Sequence, residues 1–260
     1  MSVEALRLLI SEGEKTDKKI SLVFPFLPPA LLFVGYILLL ASIGYGRYYP
    51  VYGMVSLQTG ASLPFILVFA ALGFMLASVV LGIYLIYLWI SRRNRHFSRT
   101  LSLYEVLCEI LRAKGFENQA LSIRDWLSRM RLEQGEYRSP AKWIAIYIVA
   151  SMIPLIGLIV TFYIYHFLNR DFVRHDRYER EILVRVNEAL KTRNMEILSL
   201  VGSELGSFPN RNTVIYAVLT MVTLSLFTLY WWYTLTNDPN KHFEAHRLIE
   251  SELASKIALI

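Results

Sequence analysis

The sequence predicts an all-α integral membrane protein with four apolar segments: two spans, then two segments that are either further spans or re-entrant hairpins. Three observations lead there. The 260 residues are 55% apolar with a positive mean hydropathy, too apolar for an ordinary soluble domain. Charge is segregated: Asp, Glu, Lys and Arg are missing from residues 20–46, 48–91, 143–169 and 212–237, and about 20 apolar residues suffice for a helix to cross a bilayer. The apolar stretches end abruptly in aromatics and bases, as in "IYLIYLWISRRNRHF" (83–97) and "YWWYTLTNDPNKHF" (230–243). Such a change of character marks where hydrocarbon gives way to an anionic surface.

Residues 1–19 predict a short amphipathic helix ended by Gly13. The charges from Glu4 to Lys19 exclude a secretory leader, so the first apolar segment is expected to stay as an anchor. Residues 20–91 predict a two-span transmembrane hairpin whose first prolines sit at its start, where missing amide donors matter least. Its turn carries Arg47 with Tyr45, Tyr48, Tyr49 and Tyr52, and the chain returns from Pro64 to Ile90. Residues 92–140 predict a cytoplasmic helical hairpin. Its first helix shows Leu101, Tyr104, Leu107, Cys108 and Leu111 at helical spacing and stops at Lys114–Gly115. Its second shows Leu121, Ile123, Trp126, Leu127 and Met130 and stops at Gly135. Cys108, the single cysteine, reads as a buried structural thiol. Ser139 and Pro140 form a cap and first turn for the third membrane segment, 141–169. Residues 170–210 predict amphipathic helices, one with Tyr178, Ile182, Val186 and Leu190, a shorter one with Met195, Leu198 and Val201. A fourth membrane segment, 211–236, leads to a C-terminal amphipathic helix, 237–260, with Asp238 as cap and Pro239 at its first position.

Counting Lys and Arg weighs the two arrangements. Four crossings with the N-terminus inside put 18 inside and 9 outside, whereas two spans followed by two re-entrant segments put 26 inside and 1 outside. The second obeys the positive-inside rule better. In the third segment Pro154 and Gly157 sit near the midpoint, where "IPLIG" suits a turn between two short arms. The fourth has Thr220, Thr223 and Ser225 to satisfy a bent backbone, without Pro or Gly to mark a turn. The expected location is the cell (cytoplasmic) membrane, multi-pass, with a cytoplasmic N-terminus.

The pattern of apolar segment, aromatic exit, basic hinge and amphipathic helices recurs, with His96, His175 and His242 at comparable points. This suggests an internal repeat. The stretches "VVLGIYLIYLW" (79–89) and "VTLSLFTLYWWY" (222–233) resemble a Thr-Leu-Gly-Ile-Tyr-x-x-Tyr-Trp motif of small prokaryotic membrane proteins grouped as a domain of unknown function. Val80 stands for the Thr and Leu88 for the Trp in the first copy; Ser225 and Phe227 replace Gly and the first Tyr in the second. The resemblance implies a membrane protein and brings no activity with it.

Candidate chemistry is sparse. Glycine-rich phosphate loops, hydrolase elbows, zinc cysteine pairs and nucleotide fingerprints are missing, so catalytic residues and cofactors are not expected. His242 and His246 lie four apart on one helix face, a metal-ligand spacing, with Glu244 off that face and no third ligand evident along the chain. His96, His175 and His242 converge if the repeats surround an axis. Asp171 and Asp176, among Arg170, Arg174 and Arg177, read as a solvated helix start. The residues expected to meet lipid or a partner are Trp89, Arg92, Arg93, Arg95, Arg170, Arg174, Trp231, Trp232 and Lys241. The partners expected are a bilayer with anionic headgroups and a protein or a second copy, and not nucleic acid. The leading functional expectation is a membrane scaffold or accessory subunit without catalysis. The alternatives are an oligomeric channel or lipid-handling protein, and a metal-dependent membrane enzyme at the His-bearing hinges.

Overall fold

A computed structural model describes residues 3–52, 62–134, 137–198 and 208–260. Among the described residues the protein is all-helical, with no strand. Expectations for the Tyr-rich turn beyond Tyr45, for Gly135 and for Val201 fall outside the described side chains. The chain divides into two compact units, Ser21–Ile86 and a larger unit of Met1–Ile20 with Tyr87–Ile260.

The smaller unit holds a short 3-10 turn (Phe24–Phe26), helix α2 (Leu27–Tyr52) and the first part of α3 (Ser62–Ala113). Both helices are long and apolar enough to cross a membrane. Their apolar side chains face outward, Phe33, Ile37, Phe65, Phe69 and Leu76 among them, the reverse of a water-soluble fold. The helices touch where side chains are small: a Cβ on Gly35 would lie 3.0 Å from the Ala71 carbonyl. Ser78 Oγ donates to the Pro28 carbonyl at 2.7 Å, satisfying a backbone acceptor that lipid could not.

The larger unit contains α1 (Val3–Thr16), the second part of α3, α4 (Glu117–Gln134), α5 (Pro140–Ser151), α6 (Pro154–Lys191), α7 (Thr213–Val222) and α8 (Phe227–Ile257). Most of the predicted apolar positions are buried together in its apolar core: Tyr104, Leu107 and Leu111 of α3, Ile123, Leu127 and Met130 of α4, and Tyr178, Ile182, Val186 and Leu190 of α6. Leu101 and Trp126 are only partly buried, Leu121 is exposed, and Leu103 takes a core place that was not expected. Leu6 of α1 and Ile249, Leu253 and Ile257 of α8 complete it. Cys108 is buried, as expected. Gly115, at φ 88, ends α3 as predicted, and Ser139 Oγ accepts from Lys142 N at 3.3 Å to cap α5, with Pro140 in its first turn.

Three local expectations are corrected. Gly13 does not end α1, which runs on to Thr16; its missing side chain leaves room for the Arg99 guanidinium, 3.3 Å from where a Cβ would sit. Pro239 lies inside α8 instead of starting a helix. A proline has no N–H for the carbonyl four residues earlier; here Arg92 donates to the Leu235 carbonyl, and at 3.3 Å to the Thr236 carbonyl. The hinges expected between apolar and basic stretches are continuous helix, since α3, α6 and α8 run straight through residues 91–92, 169–170 and 236–237.

The third and fourth apolar segments are each broken. Met152 and Ile153 separate α5 from α6, and Pro154 opens α6, so the break falls at the start of the "IPLIG" stretch. Gly157 allows close approach there: a Cβ on it would lie 2.9 Å from Ser151 Cα. Between α7 and α8 the break is made by Leu224 (φ 48) and Ser225 (φ 73), left-handed residues that no Pro or Gly announces. Met152 and Leu224 at the two breaks are 80% and 89% exposed, so both tips present apolar side chains outward.

One device recurs three times. Asn94 of α3 bonds the backbone N–H and C=O of Arg138, just before α5 (3.3 and 2.7 Å). Asn169 of α6 accepts from Arg211 N and donates to the Pro209 carbonyl, just before α7 (both 3.1 Å). Asn240 of α8 does the same to Ile20, just before the first apolar segment (3.1 and 2.8 Å).

Candidate metal centre

Above the apolar core, α3, α6 and α8 each turn polar residues inward. α3 supplies His96 and Arg99, α6 supplies His175, Asp176 and Glu179, and α8 supplies His242, His246 and Glu250; all are buried. Helical spacing explains the grouping: His175 with Glu179, His242 with His246, and His246 with Glu250 are pairs four apart, one turn along the same face. Asp17, from the segment after α1, also reaches in.

Donor atoms of His96, Glu179, His242 and His246 all lie within 4.8 Å of one another. His96 Nε2 faces His242 Nε2 at 3.2 Å, His242 Nε2 is 3.3 Å from Glu179 Oε2, and His246 Nε2 is 2.6 Å from the same oxygen. Tetrahedral coordination with bonds of about 2.0–2.1 Å places donors about 3.3 Å apart. The first two distances meet that spacing as they stand, and the third requires a shift of under an ångström.

The remaining nitrogens have partners of the right kind. Asp17 Oδ1 lies 3.1 Å from His96 Nδ1, Asp176 Oδ1 lies 3.2 Å from His242 Nδ1, and Glu250 Oε1 lies 3.2 Å from His246 Nδ1. A carboxylate near each Nδ1 is the usual support of a metal-bound histidine; as they stand, His96 Nδ1 and Asp176 Oδ1 make no well-directed hydrogen bond. Arg99 in turn anchors two of these carboxylates, Glu250 at 2.9 Å and Asp17 at 2.6 Å. Phe97, Phe172 and Phe243 pack as an apolar layer beside the histidines.

The electrostatics call for a cation. Asp17, Asp176, Glu179 and Glu250 face Arg99 as the one guanidinium in this group. Burial favours the neutral acid of Glu179, but His175 and His246 outweigh it and hold the carboxyl well below its usual range. Burial likewise opposes charge on His246, yet Glu179 and Glu250 push it up to about 10. His242 is raised too, where its contacts with Asp176 and Glu179 overcome burial. On His175 burial wins, and the ring is held below its ordinary value. Glu179 Oε1 is 2.9 Å from His175 Nε2 but makes no well-directed hydrogen bond. A divalent ion at the centre would take the place of the protons that His242 and His246 otherwise carry there.

Of the predicted metal pair, His242 and His246 are brought together, with ring centroids 4.6 Å apart, and the convergence of His96, His175 and His242 expected around an axis is present. Glu179 was missed because it stands among solvated-looking charges, although its spacing of four from His175 is the same as that of the recognised pair. Asp171 and Asp176 are buried, not solvated: Asp171 pairs with Arg93 (2.9 Å) and Arg138 (2.7 Å). Exposure divides the predicted lipid- or partner-facing set. Trp89, Arg92, Arg93 and Trp231 are interior, Trp89 Nε1 donating to Thr236 Oγ1 at 3.0 Å. Arg174 and Trp232 are half-buried, and Arg95, Arg170 and Lys241 are exposed.

No curated protein and no solved structure matches the chain. A family profile described as Domain of unknown function (DUF4234) matches residues 211–257. That stretch is the α7–α8 hairpin with the second copy of the aromatic motif, and it brings two of the four converging donors, His242 and His246, to the centre.

Proposed function

We propose that this chain is a multi-pass protein of the cell membrane, a scaffold or accessory subunit whose extramembrane helices are clamped by a divalent first-row metal. The observation that carries the reading is the convergence of three Nε2 atoms and Glu179, with a carboxylate behind each of the three histidines. Three nitrogens and one oxygen suit zinc, and four protein donors in a buried site are the mark of a structural centre, since catalytic zinc keeps a position open. The clamp ties together α3, α6 and α8, which are far apart in sequence.

Membrane residence is supported by α2 and α3 and by the apolar breaks at Met152 and Leu224. α5 and α7, of 12 and 10 residues, reach about 18 and 15 Å against a core of about 30 Å. They fit re-entrant arms with the basic bundle and N-terminus cytoplasmic. The three asparagines support an internal repeat: each of α3, α6 and α8 holds the backbone just before an apolar segment.

The test is purification in mild detergent without chelator. About one equivalent of metal, and a co-purifying partner or second copy, are expected; a metal-free protein that zinc does not stabilise removes the clamp, and a monomer that always emerges alone removes the scaffold. One observation favours a metal-dependent enzyme instead: a cavity of about 290 Å³, lined by Phe208, Arg211, Asp238 and Lys241, reaches His242. Solvent-proton relaxation of Mn²⁺-substituted protein separates the two, because only an open centre exchanges water.

A further inference from the structure

Outside the metal centre, α6 carries a row of like charges that the clamp does not use. Arg170, Arg174, Arg177 and Arg180 follow one another at intervals of four, three and three, which places them along one side of the helix. They line a cleft of about 800 Å³ closed on its other side by Phe208, Asn210 and Arg211. Arg211 is committed to Asp238, at 3.0 and 3.1 Å. Among the described residues no carboxylate pairs with any of the four arginines of the row; Arg177 stacks over the Tyr178 ring. Two acids reach the cleft, Asp176 and Glu181. Asp176 is turned to His242 and to Phe208 N, and Glu181 forms no ion pair with the row.

Like charges three and four apart on a helix repel and destabilise it. Some surface arginines of this unit are paired, Arg124 with Glu109, Arg129 with Asp125 and Arg185 with Glu188, and others, Arg112 and Arg247 among them, stand exposed without such a pair among the described residues. What sets the row apart is that four guanidinium groups line one cleft. Guanidinium forks match phosphate oxygens in pairs, and a phosphoryl group offers three acceptors and close to two charges where a carboxylate offers two and one. Ten residues separate Arg170 from Arg180, about 15 Å along the axis, enough for two phosphoryl groups side by side.

We infer that this cleft is a binding site for a phosphate-bearing anion with room for two phosphoryl groups. The same chemistry is offered by a soluble diphosphate and by the headgroup of an anionic phospholipid. The exposed apolar side chains of Leu155 and Ile159 earlier in α6 sit about 22 and 16 Å before Arg170, where the acyl chains of a lipid bound by its phosphate would run. This inference does not depend on the metal.

The test uses the full chain in nanodiscs of neutral phosphatidylcholine, titrated with inorganic pyrophosphate. A second arm uses nanodiscs doped with phosphatidic acid and scores retained lipid by native mass spectrometry. Saturable binding is expected in at least one arm, weakened by at least about tenfold in Arg174→Gln/Arg177→Gln. The control Arg124→Gln/Arg185→Gln removes the same charge elsewhere and is expected to stay within about twofold of wild type. Pyrophosphate binding alone assigns a soluble ligand, and lipid retention alone assigns a headgroup. If the double Gln variant does not fold, judged by helicity and thermal unfolding, Arg174→Lys/Arg177→Lys keeps the charge, removes the fork and is expected to bind several-fold more weakly. No saturable binding in either arm, or equal loss in the control, overturns the inference.

Discussion

Replacing Glu179 by Gln removes one negative charge and one donor from the centre while keeping the shape of the side chain. Glu179 is fully buried and touches three histidines, at 2.9 Å (His175), 3.3 Å (His242) and 2.6 Å (His246). A structural zinc site contributes about 10–16 kcal/mol of binding free energy. Shared over four donors that is about 3–4 kcal/mol for each, so the variant is expected to bind zinc two to three orders of magnitude more weakly, at about 1.4 kcal/mol per decade. Breaking a buried charged contact costs about 3–5 kcal/mol, and in a unit of this size each kcal/mol lowers Tm by about 2–4 °C, so Tm should fall by roughly 6–20 °C. The assay is metal content by elemental analysis, followed by thermal unfolding with zinc and with a strong chelator. Wild type should hold about one equivalent and melt lower after chelation, and the variant should be insensitive to both. A wild-type protein whose Tm ignores zinc and chelator alike would refute the argument, as would a Glu179→Gln variant with unchanged zinc affinity. The converging histidines would then be a protonated network only.

Asp17→Asn keeps the side chain behind His96 but weakens its hold on the Nδ1 proton, and should lower metal affinity about 10–100-fold in competition with a chromophoric chelator. Asn240→Ala leaves the N–H and C=O of Ile20 without their partner; about 1–3 kcal/mol of stability should be lost, and Asn94→Ala and Asn169→Ala should behave alike in the same melting assay. Arg92→Met abandons the Leu235 and Thr236 carbonyls, with a loss of the same order. Adding Pro239→Ala should recover part of it by restoring an N–H for Leu235, and a double variant no more stable than the single would contradict the helix account. Finally, a cysteine placed at exposed Glu188 in a Cys108→Ser background should resist an impermeant maleimide in intact cells if the bundle is cytoplasmic; ready labelling would favour four plain crossings.

The helical class and two helices long and apolar enough to span a membrane were legible because a charge-free stretch of about 20 residues satisfies its own backbone best as a helix. Helix faces were legible in large part, since 3.6-residue periodicity brought Tyr104, Leu107 and Leu111 and Ile182, Val186 and Leu190 inward as expected, while Leu121 stays exposed. The metal pair His242 and His246 could be read because both lie on one turn of one helix.

What the sequence could not decide was which helices meet. Glu179 is 67 residues from His246 and 83 from His96, and nothing local brings it to notice; packing of α3, α6 and α8 around a shared layer sets it among the three converging histidines. Pattern alone also misjudged the basic stretches. A run of arginines beside aromatics looks like a lipid-facing belt, yet Arg92 and Arg93 are drawn inside by a proline-freed carbonyl on α8 and a carboxylate on α6. Local periodicity fixes a residue's face on its own helix, and only the tertiary structure determines which neighbour that face is given.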